Sequence, residues 1–360
     1  MRVLFYHLTP FALAHGGLQT QILQTRTALE KLGVESDFLR WWDQGQAGDI
    51  LHFFGRMSVS SLKLAQARGM KVVQAELLTE QGSRSRARLK LQKSLRQFMG
   101  LASPRLCGSL FNWDSYRLAD ACIALTDWEA ILMKELYGAP VGKTHVVPNG
   151  VEDEFLKSQP VKRGPWLVCT ATITERKRVL ELAEAAVRAS TPLWIIGKPY
   201  TESDAYAQRF VALAKAHPDT LRYEGPIADR ARLAQIYREA RGFVLLSAME
   251  SLSLSALEAA ACECPLLLSR LPWATTVFRE GACYCPVALS PSQAAGFVRQ
   301  FYDAAPGFKP PPRPLSWSEV GGQLQRLYEA LLSTSIDRGP EDAPDAFTAH
   351  IAGGKSRRHS

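Results

Sequence analysis

The sequence contains no uninterrupted apolar run approaching the roughly 18 to 20 residues that span a bilayer, so no membrane-crossing helix is expected. Residues 1–14 have the outline of a leader, but Arg2 is their only early charge and His7 and Pro10 interrupt the apolar stretch, so they read as a first buried strand. No Gly-X-Gly-X-X-Gly follows any candidate strand, which counts against a dinucleotide-binding oxidoreductase. Collagen-like and low-complexity patterns are missing over most of the length, and no internal repeat is visible, so fibrous and solenoid architectures are set aside. Cysteine is sparse and odd in number, at seven, and scattered; reduced thiols in a cytoplasmic protein fit better than a disulfide framework. Cys262-X-Cys264 and Cys283-X-Cys285 are spaced more tightly than structural zinc ligands usually are, and both sit among apolar residues. They read as small buried hydrophobes, and no metal site is expected.

One further absence is local. Residues 84–105 contain no acid, while Lys or Arg stands at 84, 86, 88, 90, 93, 96 and 105, with Leu89, Leu91, Leu95, Phe98, Met99 and Leu101 interleaved. This is a basic amphipathic stretch, and it carries much of the net charge of +8. It suits equally a surface helix packed on its own domain and peripheral contact with an anionic membrane at the inner face. No aromatic-interleaved RNA motif or helix-turn-helix pattern accompanies it, so nucleic acid is not expected as a partner.

What is present is a repeated alternation of short apolar runs with helix-period segments, the pattern of βα units on parallel sheets. A chain of 360 residues exceeds one ordinary core, and two such sheets are expected. The first draws on residues 3–6, 50–54, 72–73, 121–125 and 145–147, the second on 166–169, 193–196, 221–223, 242–246 and 265–268. The fold class is therefore α/β, two Rossmann-like, doubly wound domains facing across a cleft. Domain bounds are placed at 1–155 and 165–315, with a charged, Pro- and Gly-containing linker over 150–165. The stiff Pro-rich connector 309–314 leads into a closing helix at 317–332 (domain piece 316–332), and the polar segment 333–360 is expected to be disordered.

Ligands of open parallel sheets sit beyond the carboxyl ends of the strands. In the first half, His15-Gly16-Gly17 follows the first strand and opens a helix, leaving backbone amides free to approach a phosphate or sugar. A plain turn accounts for it as well. In the second half, Glu250 stands in a strand-to-helix loop and Glu258 about two turns into the helix, with Ser251 and Ser253 as N-cap residues. The deeper carboxylate suits the cis-diol of a ribose and the outer one a sugar hydroxyl; a helix cap and a solvated side chain would satisfy the same pattern. His7, His52 and His145 read as structural, and of the histidines only His15, beside the glycine pair, is kept as a candidate.

Taken together, Glu-X7-Glu at 250 and 258, the glycine pair, Val147-Pro-Asn-Gly-Val151, Asp49-Ile-Leu-His52 and Leu257-Glu-Ala-Ala-Ala-Cys-Glu-Cys-Pro265 resemble the family 4, or group 1, glycosyltransferases of the GT-B fold. The resemblance implies a retaining, metal-independent transfer from a nucleotide-sugar to a saccharide, lipid-linked or small-molecule acceptor, with no cofactor. It places the donor in the second domain and the acceptor in the first, and brings the closing helix back onto the first. It implies Glu258 on the ribose and Glu250, with Lys177, as catalytic residues. The diphosphate would lie against the backbone of Ser251, Leu252, Ser253 and Leu254, and the base would be flanked by Gly197 and the loop from Tyr223 to Ile227. Thr172 stands where relatives carry a second cation, so Arg176 or Arg178 would have to turn inward. Glu-Ser-Leu-Ser replaces the usual Glu-Gly-Phe-Gly, and Gln74-Ala-Glu76 lies where many relatives carry a histidine. The competing readings are an epimerase on the same fold and a non-catalytic nucleotide-sugar binder. A phosphorylase would need a pyridoxal-binding lysine context that the sequence lacks.

Overall fold

The computed structural model describes residues 1–12, 16–102, 112–159 and 161–336. Two six-stranded sheets, each parallel throughout, organise the chain. The first has the order β2-β1-β3-β4-β5-β6, built from Arg2–His7 (β1), Glu35–Phe38 (β2), Ile50–Phe54 (β3), Lys71–Ala75 (β4), Ala121–Ala124 (β5) and Thr144–Val146 (β6). The second has the order β12-β11-β10-β7-β8-β9, from Leu167–Thr170 (β7), Leu193–Ile196 (β8), Leu221–Tyr223 (β9), Gly242–Leu245 (β10), Leu266–Ser269 (β11) and Cys283–Cys285 (β12). Central strands such as β3, β8, β10 and β11 are buried along their whole length, which is why they read as unbroken apolar runs rather than alternating ones. Two of the four edge strands, β2 and β12, were not expected. Each is short and only partly buried, so no apolar run marks it.

Helices cover both faces of each sheet. The first lobe has one apolar cluster on either side of its sheet, while the second buries one large cluster. The closing helix Trp317–Ile336, four residues longer than its sequence pattern suggests, packs on Gly17–Lys31 of the first lobe. Its Trp317, Val320, Leu324 and Tyr328 share a cluster with Val3, Phe5, Ile22 and Leu29. Tyr328 Oη lies 2.6 Å from His52 Nδ1, and Gly321 lets the two helices meet at Ala28. The outgoing and returning strands of chain touch each other: Val151 and Ser316 form a parallel bridge, and a side chain at Gly150 would collide with the Trp317 backbone. The sequence 150–165 is less irregular than a linker need be, since Asp153–Leu156 is a short helix whose Phe155 is buried in the second-lobe core.

Among the described residues no helix is long and apolar enough to cross a membrane. The tail 337–360, like residues 103–105 of the basic stretch, lies outside the described residues.

Candidate active site

The carboxyl ends of both sheets open on one cleft of about 690 Å³. The first lobe contributes His7 at the end of β1, Gly16 and Gly17, Leu77 and Thr79 beyond β4, and Leu125 and Asn149; the second contributes the loops after β7, β8, β9 and β10. His15 lies outside the described residues. Gly16 caps the helix Gly17–Lys31 at φ 142°, a backbone conformation that favours glycine, and Gly17 faces Leu254 of the opposite lobe. Gly197 is required twice over: its φ is 147°, and a Cβ there would stand 1.9 Å from the Ala171 carbonyl oxygen.

The loop from β10 to the helix Leu254–Ala261 holds Glu250 with its side chain 8% exposed. Lys177 Nζ donates to Glu250 Oε1, and Arg176 Nη1 lies 3.4 Å from the same oxygen while donating to the Met249 carbonyl at 3.0 Å. Both cations belong to the one-turn helix Glu175–Lys177, capped by Thr174, whose hydroxyl accepts from Lys177 N. Of the two arginines considered as substitutes at this site, Arg176 lines the cleft and Arg178 does not: its guanidinium donates to the Val287 carbonyl on the far side. Thr172 also lines the cleft. Ser253 caps the helix with φ −75°, and neither Ser251 nor Ser253 has positive φ, so the Glu-Ser-Leu-Ser variant needs no strained residue there. The residues at the start of this helix line the cleft beside the Lys177 and Arg176 charges, a setting that favours an anion.

Glu258 is buried on the same helix. Its Oε1 accepts from Arg230, and Tyr237 Oη lies 3.4 Å from Oε2. Burial holds its carboxyl above the usual range although Arg230 opposes the shift. Ile227 does not reach the cleft; it packs against the second-lobe core, and its neighbour Pro226 forms the wall. Among the histidines, His7 lines the cleft with Nδ1 donating to the Phe54 carbonyl at 2.7 Å, which leaves Nε2 as the free ring nitrogen. His52 is fully enclosed and burial lowers its pKa to about 3, so it is a neutral packing residue. Glu76 is engaged by Arg56 at 2.9 Å and by the Tyr116 hydroxyl.

Arg230, Asn149 and Lys198 line the cleft without having been singled out from the sequence. Arg230 is 28 residues from its partner Glu258, and only the fold brings them together. Asn149 had a signal, being the asparagine of the Val-Pro-Asn-Gly turn; its Oδ1 is buried and has no partner among the described residues.

Comparison with known proteins bears out the resemblance. Residues 164–303 match the family described as glycosyl transferases group 1. D-inositol 3-phosphate glycosyltransferase of Acidothermus cellulolyticus is 28% identical over 218 residues, 54% of this chain and 48% of that protein. The chain thus spans about half the length of the curated relatives it matches. The fold is that of sucrose-phosphate synthase from Thermosynechococcus elongatus, with a TM-score of 0.65 at 15% identity over 92% of this chain and 99% of that one. HepE of Anabaena, solved with UDP and glucose, gives 0.62 at 12% identity over 91% and 99%. The architecture is GT-B.

Proposed function

We propose that the protein transfers a sugar from a nucleoside-diphosphate donor to a hydroxyl acceptor, with retention of anomeric configuration and without a metal ion. One observation carries the reading. Two buried carboxylates, the three cations paired with them and a helix start converge on the second-lobe side of a cleft whose opposite wall belongs to the first lobe. Support comes from the inositol-phosphate glycosyltransferases matched in sequence and from HepE, of the same fold, solved with UDP and glucose.

In the reaction, the acceptor oxygen bonds to the anomeric carbon as the bond from that carbon to the diphosphate breaks. The acceptor proton passes to the departing phosphate oxygen, so no protein nucleophile is required. Negative charge gathers on the leaving group, and Lys177 and Arg176 are placed to stabilise it. Glu250 holds both cations and receives a donor-sugar hydroxyl; Glu258 receives the ribose. The acceptor enters from the first lobe past His7 and Leu77.

The acceptor is a saccharide, a lipid-linked saccharide or a small polyol. The helix Arg86–Ala102 leaves Leu91, Leu95 and Phe98 exposed, at 71%, 56% and 69%, beside Lys90 and Lys93. That face suits a cytoplasmic protein bound peripherally to anionic lipid. The six described cysteines are free thiols, consistent with that compartment.

Release of nucleoside diphosphate from UDP-, GDP- and ADP-sugars tests the reading. Slow hydrolysis by the wild type that disappears in Glu250→Ala supports it. Tight binding with no turnover on any donor, with or without added saccharide acceptors, would instead identify a binding protein.

A further inference from the structure

The carboxylate assigned to the ribose is not alone at the end of its pocket. Arg230 opens the helix Arg230–Glu239, and its guanidinium lies over the Phe155 ring at 4.7 Å. One edge donates to Glu258 Oε1, while Nε donates to Glu152 Oε2 at 3.1 Å. The other oxygen of Glu152 accepts from Gln24 Nε2 at 3.2 Å, and Gln24 belongs to the first-lobe helix that the glycine pair opens. A continuous chain of hydrogen bonds therefore runs from the ribose carboxylate, through Arg230 and Glu152, to the neutral Gln24 amide of the first lobe.

We propose that Arg230 is a positioning residue for the nucleotide: it keeps the Glu258 carboxylate charged and aimed into the cleft. This rests on the ribose reading of Glu258 given above. A buried carboxylate with no cation beside it takes up a proton, and a protonated carboxyl has lost one of the acceptors that a cis-diol needs. The groups facing Glu258 from every neighbouring element are few. Tyr237 comes from the same helix as Arg230, Glu152 from the linker, and Cys262 from the end of its own helix. Burial pushes the Tyr237 phenol well above its ordinary range and the Cys262 thiol up to about 12, so both are neutral at physiological pH. Glu152 adds a second negative charge, which favours protonation of Glu258. Arg230 is the one neighbour among these that opposes it by carrying a positive charge.

The sign of the effect follows. In the wild type the positive charge of Arg230 opposes protonation of Glu258, so between about pH 6 and about pH 9 nucleotide affinity should depend less on pH than in a variant without that charge. In Arg230→Gln, the fraction of charged Glu258 falls as pH falls, and affinity falls with it.

The experiment is titration with UDP, ADP and GDP, and with the matching free nucleosides in competition, over that range. Arg230→Gln is expected to bind about tenfold more weakly than the wild type at the acid end and to recover toward the alkaline end. The loss should be the same for the nucleoside as for the diphosphate, and Arg230→Lys should restore the wild-type profile. If Arg230→Gln does not fold, Glu152→Gln takes its place: it keeps the guanidinium, removes the competing charge, and should stay within about twofold of wild type with no steeper loss on the acid side.

A profile in Arg230→Gln that parallels the wild type's, or an acid-side loss in Glu152→Gln beyond the wild type's, overturns the proposal. A loss seen only with the diphosphate overturns it too, because the guanidinium would then be serving the phosphates directly. Failure of the ribose reading looks different: the wild type binds none of the three diphosphates, or Glu258→Ala binds them as well as the wild type does.

Discussion

Lys177 and Glu250 form a buried pair at the mouth of the cleft, with side chains 12% and 8% exposed, so neither can be removed without consequence for the other. Lys177→Ala should lower kcat by roughly 30- to 1000-fold, the 2 to 4 kcal/mol typical of a lost donor to developing charge, with a smaller change in KM for the donor. A variant in which KM alone rises would assign Lys177 to ground-state binding. Glu129 offers a second residue-scale test. It accepts from the amides of Leu78 and Leu125, and burial nonetheless pushes its carboxyl up to about 7. A carboxyl raised on folding binds more protons in the native state between about pH 4.3 and its native value. Its contribution to stability is therefore present at the acid side and lost as pH rises through that window. Denaturant titrations should show this slope in the wild type, on the order of 3 kcal/mol in total, and its absence in Glu129→Gln. An unchanged slope would place the titrating group elsewhere. Gly197 shows why some residues are legible only in part: its place after a strand marks a turn, but the 1.9 Å approach to Ala171 belongs to the packing of two strand ends.

At the scale of elements, the helix Leu254–Ala261 was readable because its chemistry is local. Two glutamates eight residues apart and a serine cap define which side chains share a loop and a helix face. Buried central strands were readable for the same reason. Strands β2 and β12 were not, since Glu-Ser-Asp-Phe and Cys-Tyr-Cys contain no branched aliphatic residue, and Ile227 was misplaced because nothing local tells a wall residue from a core residue one position along. The helix Arg86–Ala102 carries a prediction of its own. Phe98→Asp with Leu91→Asp should abolish salt-sensitive co-sedimentation with anionic vesicles and leave donor hydrolysis in solution intact. Wild-type binding indifferent to anionic lipid and to salt would contradict the assignment. The closing helix is tested through Tyr328→Phe, which strips the enclosed His52 of its partner and should cost about 1 to 3 kcal/mol in chemical denaturation. Retention of full stability would mean that the hydroxyl contributes nothing to that packing.

At the scale of the whole molecule, two parallel sheets could be counted from the alternation of apolar and helical segments, but their mutual placement could not. Contacts across the cleft join residues far apart in sequence: Ser83 with the Glu250 backbone at 3.2 Å, Gln24 with Glu152, Gly17 with Leu254. These are what turn two separate ligand edges into one site, and Arg230 was invisible until they were known. The account depends on that site taking a nucleoside diphosphate through Glu258. Calorimetric titration of the wild type and Glu258→Ala with UDP, GDP and ADP tests it most directly. The expected result is saturable binding of at least one of them by the wild type and a loss of at least about tenfold in the variant; equal affinities in the two proteins, or no binding by the wild type, would contradict it.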